Sequence, residues 1–185
     1  MSGDPILAQS RVVFERAAIA DAVARIADAV TARCAGHDPV VLSVLLGGLP
    51  FTAALIARLE FRLQLDYAQV ARYRGSTRGG RLEWLREPQL ALAGRQVLVV
   101  DDVLDDGDTL AEITRWCRAR GAAEVVSAVL VEKRSTRRPA GLAADWTGLH
   151  ADDGYLVGFG MDYRERYRQL PEIRALPQTL DDSHG

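Results

Sequence analysis

Four aspartates, a glycine, a fifth aspartate and a threonine occupy nearly the whole run Asp101-Asp102-Val103-Leu104-Asp105-Asp106-Gly107-Asp108-Thr109, which directly follows the apolar Val97-Leu98-Val99-Val100. Carboxylates delivered by a buried strand can accept from sugar hydroxyls, bind a hard cation or take a proton. Gly107 lets the backbone approach an anion closely. Free N–H groups at the start of a helix, with the Thr109 hydroxyl beside them, form a cradle for phosphate. In open parallel sheets the carboxyl edge of the strands is where ligands sit. Two plainer readings compete: Asp101 and Asp102 as solvated strand-end acids, and Asp106 to Thr109 as a simple helix cap.

Other positions with chemical potential are spread along the chain. Leu45-Leu46-Gly47-Gly48 is a glycine loop between an apolar run and a helical pattern, and Arg72-Tyr73 opens the polar stretch Arg74 to Arg81, which holds three glycines and no apolar side chain. Such a stretch cannot bury itself and is expected to be mobile. Lys133 is the one lysine, against 22 arginines. Tyr155, Leu156, Met161, Asp162 and Arg168 follow in an aromatic, glycine-rich C-terminal region. Without further context Tyr155 and Met161 read equally well as core packing, and Arg168 as a surface charge.

The elements that must position these residues follow from periodicity. Ile19, Val23, Ile26 and Val30 recur at spacings of three and four, which predicts an amphipathic helix from about Phe14 to Arg33. Val40 to Leu46 reads as a buried strand, Phe51 to Leu59 as a helix, Leu63 to Tyr73 as a second strand and Gln96 to Val100 as a third, ending at the paired acids. A helix is expected from Thr109 to Arg120 with Gly121 stopping it. Strands are expected at Glu124 to Val131, Trp146 to Leu149 and Tyr155 to Phe159. The alternation from 40 to 131 implies right-handed crossovers and a mainly parallel, twisted sheet flanked by helices, an α/β fold.

Composition narrows the classes. The length suits one domain, and 48% hydrophobic with 26% charged residues lies well away from the disordered regime. A net charge of -2 argues against a general polyanion binder, so no nucleic-acid partner is expected. Cys34 and Cys117 are far apart and read as buried thiols, and His37, His150 and His184 receive no chemistry. Pro39 to Ala57 is uncharged, but Gly47, Gly48 and Pro50 interrupt it, and no N-terminal signal is visible; a cytoplasmic protein with no membrane partner is expected. A phosphorelay receiver, whose first strand also ends in paired acids, fails on order: no later strand ends in a lone Asp before a loop.

Asp101 to Thr109 resembles the phosphoribosyl-pyrophosphate motif of the type I phosphoribosyltransferases, and three other segments resemble the hypoxanthine-guanine branch of that family. Leu45 to Gly48 is similar to its pyrophosphate loop, Val131-Glu132-Lys133-Arg134 to its purine-selecting segment, and Tyr155 to Tyr163 with Glu165, Tyr167 and Arg168 to its C-terminal base-binding stretch. Together they span roughly residues 10 to 176. The resemblance implies one domain, with a core at about 38–135 and a small hood from the N-terminal segment and about 140–176, magnesium as cofactor and a homodimer or homotetramer.

The resemblance also assigns roles. Asp101 and Asp102 would hold the ribose hydroxyls, Asp105 would take or hold the purine N7 proton, and Asp106, Gly107, Asp108 and Thr109 would wrap the 5′-phosphate. Lys133 would donate to the purine O6, Tyr155 would stack on the base, and Leu156 and Met161 would line it. Asp162 would face the base edge, and Asp102 and Asp162 would approach magnesium. Leu46, Gly47 and Arg168 would meet pyrophosphate, and Arg72 and Tyr73 would begin the flexible catalytic loop. Several residues depart from the family pattern. Leu46 stands where a basic residue is common, Arg72 stands where serine is frequent, and Asp106 replaces a frequent Thr or Ser. Asp106 and Asp108 add negative charge beside a phosphate, which the loop tolerates if both side chains turn outward. Two other functions share part of the pattern: a phosphoribosyl-pyrophosphate-sensing RNA-binding regulator of pyrimidine genes, and a catalytically weak nucleotide-binding protein.

Overall fold

The computed structural model describes residues 4–72, 82–134, 138–139, 141–152 and 154–177. Tyr73 and the polar stretch Arg74 to Arg81 lie outside the described residues. The chain forms α1 (Pro5–Gln9), β1 (Arg11–Phe14), α2 (Arg16–Cys34), β2 (Val40–Leu45), α3 (Leu49–Ile56), β3 (Gln64–Arg72), β4 (Leu82–Arg86), β5 (Gln96–Leu104), α4 (Asp108–Ala119), β6 (Glu124–Lys133), β7 (Trp146–Ala151), β8 (Leu156–Val157) and β9 (Ile173–Ala175).

Six strands build the main sheet in the order β4-β3-β2-β5-β6-β7, and only the β3–β4 pair is antiparallel. Parallel strands covered on both faces need continuous apolar sequence, because each pleat direction meets a core. Strand β2 shows why: Val41 joins the core under α2 and α3, whereas Val40, Leu42 and Val44 join the opposite core against α4. The predicted helical stripe Ile19, Val23, Ile26 and Val30 is buried in the first of these cores. On the other face Leu110, Ile113 and Cys117 of α4 pack down, and Trp84 of β4 reaches α4 through a 5.1 Å ring contact with Trp116. Both cysteines are buried thiols, and burial pushes each up to about 11.

A second sheet, β1-β9-β8, joins the N-terminal and C-terminal segments in antiparallel register, for example Arg11 with Ala175 and Leu156 with Ala175. Three expectations need correction. The strand expected to stop at Val100 continues to Leu104, because β6 offers ladder partners as far as Leu104↔Glu132. The hood expected from about 140–176 begins later than that, because β7 extends the main sheet, where Ala128 to Lys133 pair with Trp146 to Ala151. The strand expected at Tyr155 to Phe159 is confined to Leu156–Val157, because Gly158, Phe159 and Gly160 all take positive φ and turn the chain away.

Candidate active site

The paired acids sit inside β5 near its carboxyl end, each only 8% exposed. Two short local contacts fix them: the Asp102 N–H donates to Asp101 Oδ1 at 2.9 Å and the Val103 N–H donates to Asp102 Oδ1 at 2.9 Å. Burial pushes the Asp101 carboxyl well above the usual carboxylate range, and the neighbouring Asp102 charge pushes it further. Burial also raises Asp102, partly offset by its hydrogen bonds and by the Arg168 guanidinium. Two carboxylates held this way in a low-dielectric wall favour positive charge in front of them.

After β5 the chain turns at Gly107, whose φ of 85° is left-handed, and α4 begins. A Cβ at Gly107 would lie 2.1 Å from Leu142 Cδ2, a side-chain tip that can swing away, so it is the left-handed φ that calls for glycine here. Asp106 and Asp108 behave differently from each other. Asp108 is exposed, as expected for an outward side chain. Asp106 instead lines the cavity, and its Oδ1 accepts from the Asp108 N–H at 3.2 Å, so the expectation that both turn outward is met only at Asp108.

On the other side of the cleft lies the loop after β2. Here Gly47 is required by close approach: a Cβ there would stand 2.1 Å from Asp102 Oδ2. The hood reaches the same loop, because a Cβ on Gly160 would lie 1.9 Å from the Gly47 carbonyl oxygen. Arg168 secures this corner, donating through Nη1 to the Gly160 carbonyl at 2.7 Å and pairing through Nη2 with Asp162 at 2.7 Å. The second Asp162 oxygen accepts from the Glu165 N–H at 2.7 Å.

These parts enclose two adjoining cavities. The larger, about 390 Å³, is polar and bounded by Leu46 and Gly47, by Asp101 to Gly107 and Thr109, and by Asp162 and Arg168. The smaller, about 190 Å³, is lined by Asp102, Val103, Lys133, Tyr155, Leu156, Met161 and Asp162. Between them Lys133 Nζ pairs with Asp105 Oδ2 at 3.0 Å, with side chains 12% and 30% exposed. Tyr155 is braced edge-on by Tyr163 with ring centroids 5.5 Å apart. Of the residues singled out from sequence, Asp108 lies off the cavity walls and Arg72 ends β3. Sequence reasoning missed Gly160 and Arg138, the latter donating to backbone carbonyls of the phosphate loop and the lysine segment. Among so many arginines nothing in its type or spacing marks Arg138.

A parallel sheet that feeds buried acids into a glycine turn and a helix start, roofed by a hood that carries an aromatic, is the architecture of a phosphoribosyltransferase, and residues 13–164 match the family model described as phosphoribosyl transferase domain. The chain is 35% identical over 146 residues to the hypoxanthine-guanine phosphoribosyltransferase of Bacillus subtilis (strain 168), covering 78% of this chain and 81% of that one. It is 31% identical over 171 residues to the enzyme of the same name from Streptococcus pneumoniae (strain ATCC BAA-255 / R6), covering 92% and 94%. Among solved structures, a hypoxanthine phosphoribosyltransferase from Staphylococcus aureus superposes with a TM-score of 0.88 at 27% identity, covering 97% of this chain and 98% of that one. The chain belongs to the hypoxanthine-guanine phosphoribosyltransferase family.

Proposed function

We propose that the protein transfers the 5-phosphoribosyl group from phosphoribosyl pyrophosphate to hypoxanthine or guanine, releasing pyrophosphate and forming the nucleoside monophosphate. The observation that carries this reading is the Lys133–Asp105 pair at 3.0 Å, standing where the small aromatic-walled cavity opens into the phosphate-sized one. A 6-oxopurine presents an O6 acceptor and an N7 along one edge. On arrival it exchanges the internal ion pair for two contacts: the Lys133 ammonium donates to O6, and the Asp105 carboxylate accepts from the N7–H and can take its proton. An adenine amino group cannot accept the lysine bond, and a buried lysine left unpaired by the wrong base discriminates strongly.

In this reading Asp101 and Asp102 accept from the ribose hydroxyls. The N–H groups after Asp105, with Gly107 and the Thr109 hydroxyl, hold the 5′-phosphate. Tyr155 stacks on the base, and Leu156 and Met161 close the apolar side of its slot. Leu46 and Gly47 border the pyrophosphate through their backbone. Arg168 uses the donors left over from Asp162 and the Gly160 carbonyl on the pyrophosphate oxygens. Positive charge developing on the sugar ring at the transition state is stabilised by the two buried acids.

Magnesium fits the site. Asp102 and Asp162 line the same two cavities, and the ion takes one or two protein carboxylates while substrate oxygens and water complete its shell. Bound there, it would neutralise the leaving pyrophosphate.

A second copy of the chain is the proposed partner, as a homodimer or homotetramer. Leu46, Leu49, Leu65, Tyr67 and Leu85 are exposed apolar residues, four of them about half exposed, on or beside α3, the edge strand β4 and its neighbour β3. No helix among the described residues is long and apolar enough to cross a membrane, and the proposed setting is the cytoplasm. The RNA-binding alternative leaves Lys133, Tyr155 and their shared cavity without a task.

The deciding assay incubates the protein with magnesium, phosphoribosyl pyrophosphate and each purine or pyrimidine base in turn, then identifies the nucleotide formed. Inosine and guanosine monophosphates are expected, with little adenosine or uridine monophosphate. Preference for adenine or uracil would overturn the base assignment.

A further inference from the structure

The last rung between β5 and β6 pairs Leu104 with Glu132. Immediately past it stand Asp105 and Lys133, and their side chains must keep a purine-edge spacing after the ladder between their two strands has ended. Strand ends splay unless something replaces the missing rungs. One side chain does so here. Arg138 donates through Nε to the Asp105 carbonyl at 3.0 Å, and through Nη2 to the Leu104 carbonyl at 3.1 Å and to the Lys133 carbonyl at 2.6 Å. Its Nη1 pairs with Glu132 Oε1, and Glu132 Oε2 accepts from the Thr147 hydroxyl of β7 at 2.9 Å. The Arg138 side chain is 10% exposed.

The arrangement spans three strands. Thr147 orients Glu132, Glu132 neutralises and aims Arg138, and Arg138 ties the end of β5 to the end of β6 on either side of the Asp105–Lys133 pair. Only arginine has the chemistry for this: a planar, always-charged group with five donors in a fixed fork can serve three carbonyls and a carboxylate at once. A lysine has a point charge and a flexible stem, and glutamine has two donors. Depression of the Glu132 carboxyl below its ordinary value agrees with this geometry: the Thr147 and Arg138 bonds and the Arg138 charge outweigh the burial that opposes them.

We propose that Arg138 is a positioning residue for purine recognition: its guanidinium sets the separation of Asp105 and Lys133, and thereby the affinity and rate with 6-oxopurines. The inference rests on the reading that Asp105 and Lys133 face the base. Arg138 need not touch substrate. Donor binding also draws on Asp101, Asp102, Gly107 and Thr109, none of which Arg138 bonds, so it is less sensitive than base binding to the loss of this staple.

The test uses the full chain with magnesium and measures kcat, KM for hypoxanthine, KM for phosphoribosyl pyrophosphate and thermal stability for Arg138→Gln, Arg138→Lys, Thr147→Val, Asp105→Asn and Lys133→Met. Because misplacing reacting groups by about 1 Å costs up to about 10²-fold, Arg138→Gln is expected to raise the hypoxanthine KM about tenfold and lower kcat about tenfold, with the donor KM within about threefold. Arg138→Lys recovers part of the loss. Thr147→Val shows the same pattern at lower amplitude and remains informative should Arg138→Gln fail to fold. In a double-mutant cycle the coupling between Asp105→Asn and Lys133→Met in kcat/KM shrinks when Arg138 is replaced.

A folded Arg138→Gln variant with purine KM and kcat within about twofold of wild type overturns the inference. So does an equal loss for purine and donor that tracks thermal stability, because that is a merely structural effect. For an unfolded Arg138→Gln, wild-type constants in Thr147→Val overturn it as well. Failure of the underlying reading looks different: Asp105→Asn and Lys133→Met would themselves leave the purine constants unchanged.

Discussion

Replacing Gly47 by alanine puts the architecture of the cleft to its most direct test, because the constraint there is one of space alone. Gly47 is absent from the positive-φ residues, so alanine can adopt its backbone conformation. The added Cβ, however, would stand 2.1, 2.5 and 2.7 Å from Asp102 Oδ2, Cγ and Oδ1. Ordinary contact begins at 3.4 Å, so the carboxylate must retreat by about 1.3 Å unless the loop moves instead. The loop has little freedom to move, since its carbonyl already packs tightly on Gly160 of the hood. Retreat of Asp102 breaks its bond from the Val103 N–H, at a cost of about 0.5–1.5 kcal/mol. It also displaces a group proposed to hold the ribose and magnesium, and a displacement of about 1 Å is worth about 10²-fold, or about 2.7 kcal/mol in the barrier. Gly47→Ala should therefore lose about 10²-fold in kcat/KM for donor, while Tm falls by only about 2–4 °C. Steady-state kinetics at saturating magnesium, paired with a thermal melt, measure both. Gly154→Ala, whose Cβ meets nothing within 4 Å, is the matched control and should match wild type. A Gly47→Ala enzyme within about threefold of wild type would refute the claim that this loop and Asp102 are locked together.

Two further outcomes follow from the acids. Asp106 lines the phosphate cavity and its carboxylate repels a phosphate dianion by about 1 kcal/mol per unit pair at 4 Å even in bulk water, so Asp106→Thr should lower the donor KM several-fold and leave kcat nearly unchanged. The threonine hydroxyl can still accept from the Asp108 N–H; abolished activity would instead make Asp106 itself a functional ligand. In metal-free protein the raised Asp101 and Asp102 carboxyls keep protons that the unfolded chain has lost, so the folded state binds more protons and stability falls as pH rises from about 4 through the raised values. Asp101→Asn removes part of that titration and should flatten the fall of Tm as pH rises above the usual carboxylate range, with every kcal/mol recovered worth about 2–4 °C. A variant whose Tm declines as steeply as wild type would separate the stability loss from this pair.

The legible parts of the fold were those whose signal is local. Continuous apolar runs such as Val40 to Leu45 and Val97 to Val100 announce strands buried on both faces, and the Ile19 to Val30 stripe announces the helix that covers one of them. The elements that escaped are short and held by partners distant in sequence. Strand β1 has four residues and β9 three, and each exists because the other lies beside it. β4 alternates half-buried and exposed positions on a sheet edge, where Trp84 finds both the second core and the Glu112 carboxylate at 3.0 Å. Nothing within Leu82 to Arg86 states that α4 will be there to meet it.

The site divides in the same way, along the line between doing chemistry and holding it in place. Asp101, Asp105 and Thr109 could be singled out because carboxylates and hydroxyls at the end of a strand have few structural reasons to cluster, and Lys133 because it is the lone lysine among many arginines. Arg138 carries the same charge as Lys133 and lies five positions later, yet it was invisible. Its partners are three backbone carbonyls, and a carbonyl has no identity in the sequence; only the folded register of β5 against β6 brings those three oxygens within one guanidinium's reach. Gly160 is the same case in reverse, a residue defined by the Gly47 carbonyl that presses against it from the far side of the cleft. Residues that act on a ligand are chosen for their functional groups, whereas residues that position them are chosen for a distance, and a distance between strand ends becomes a property of the chain only after the sheet has formed.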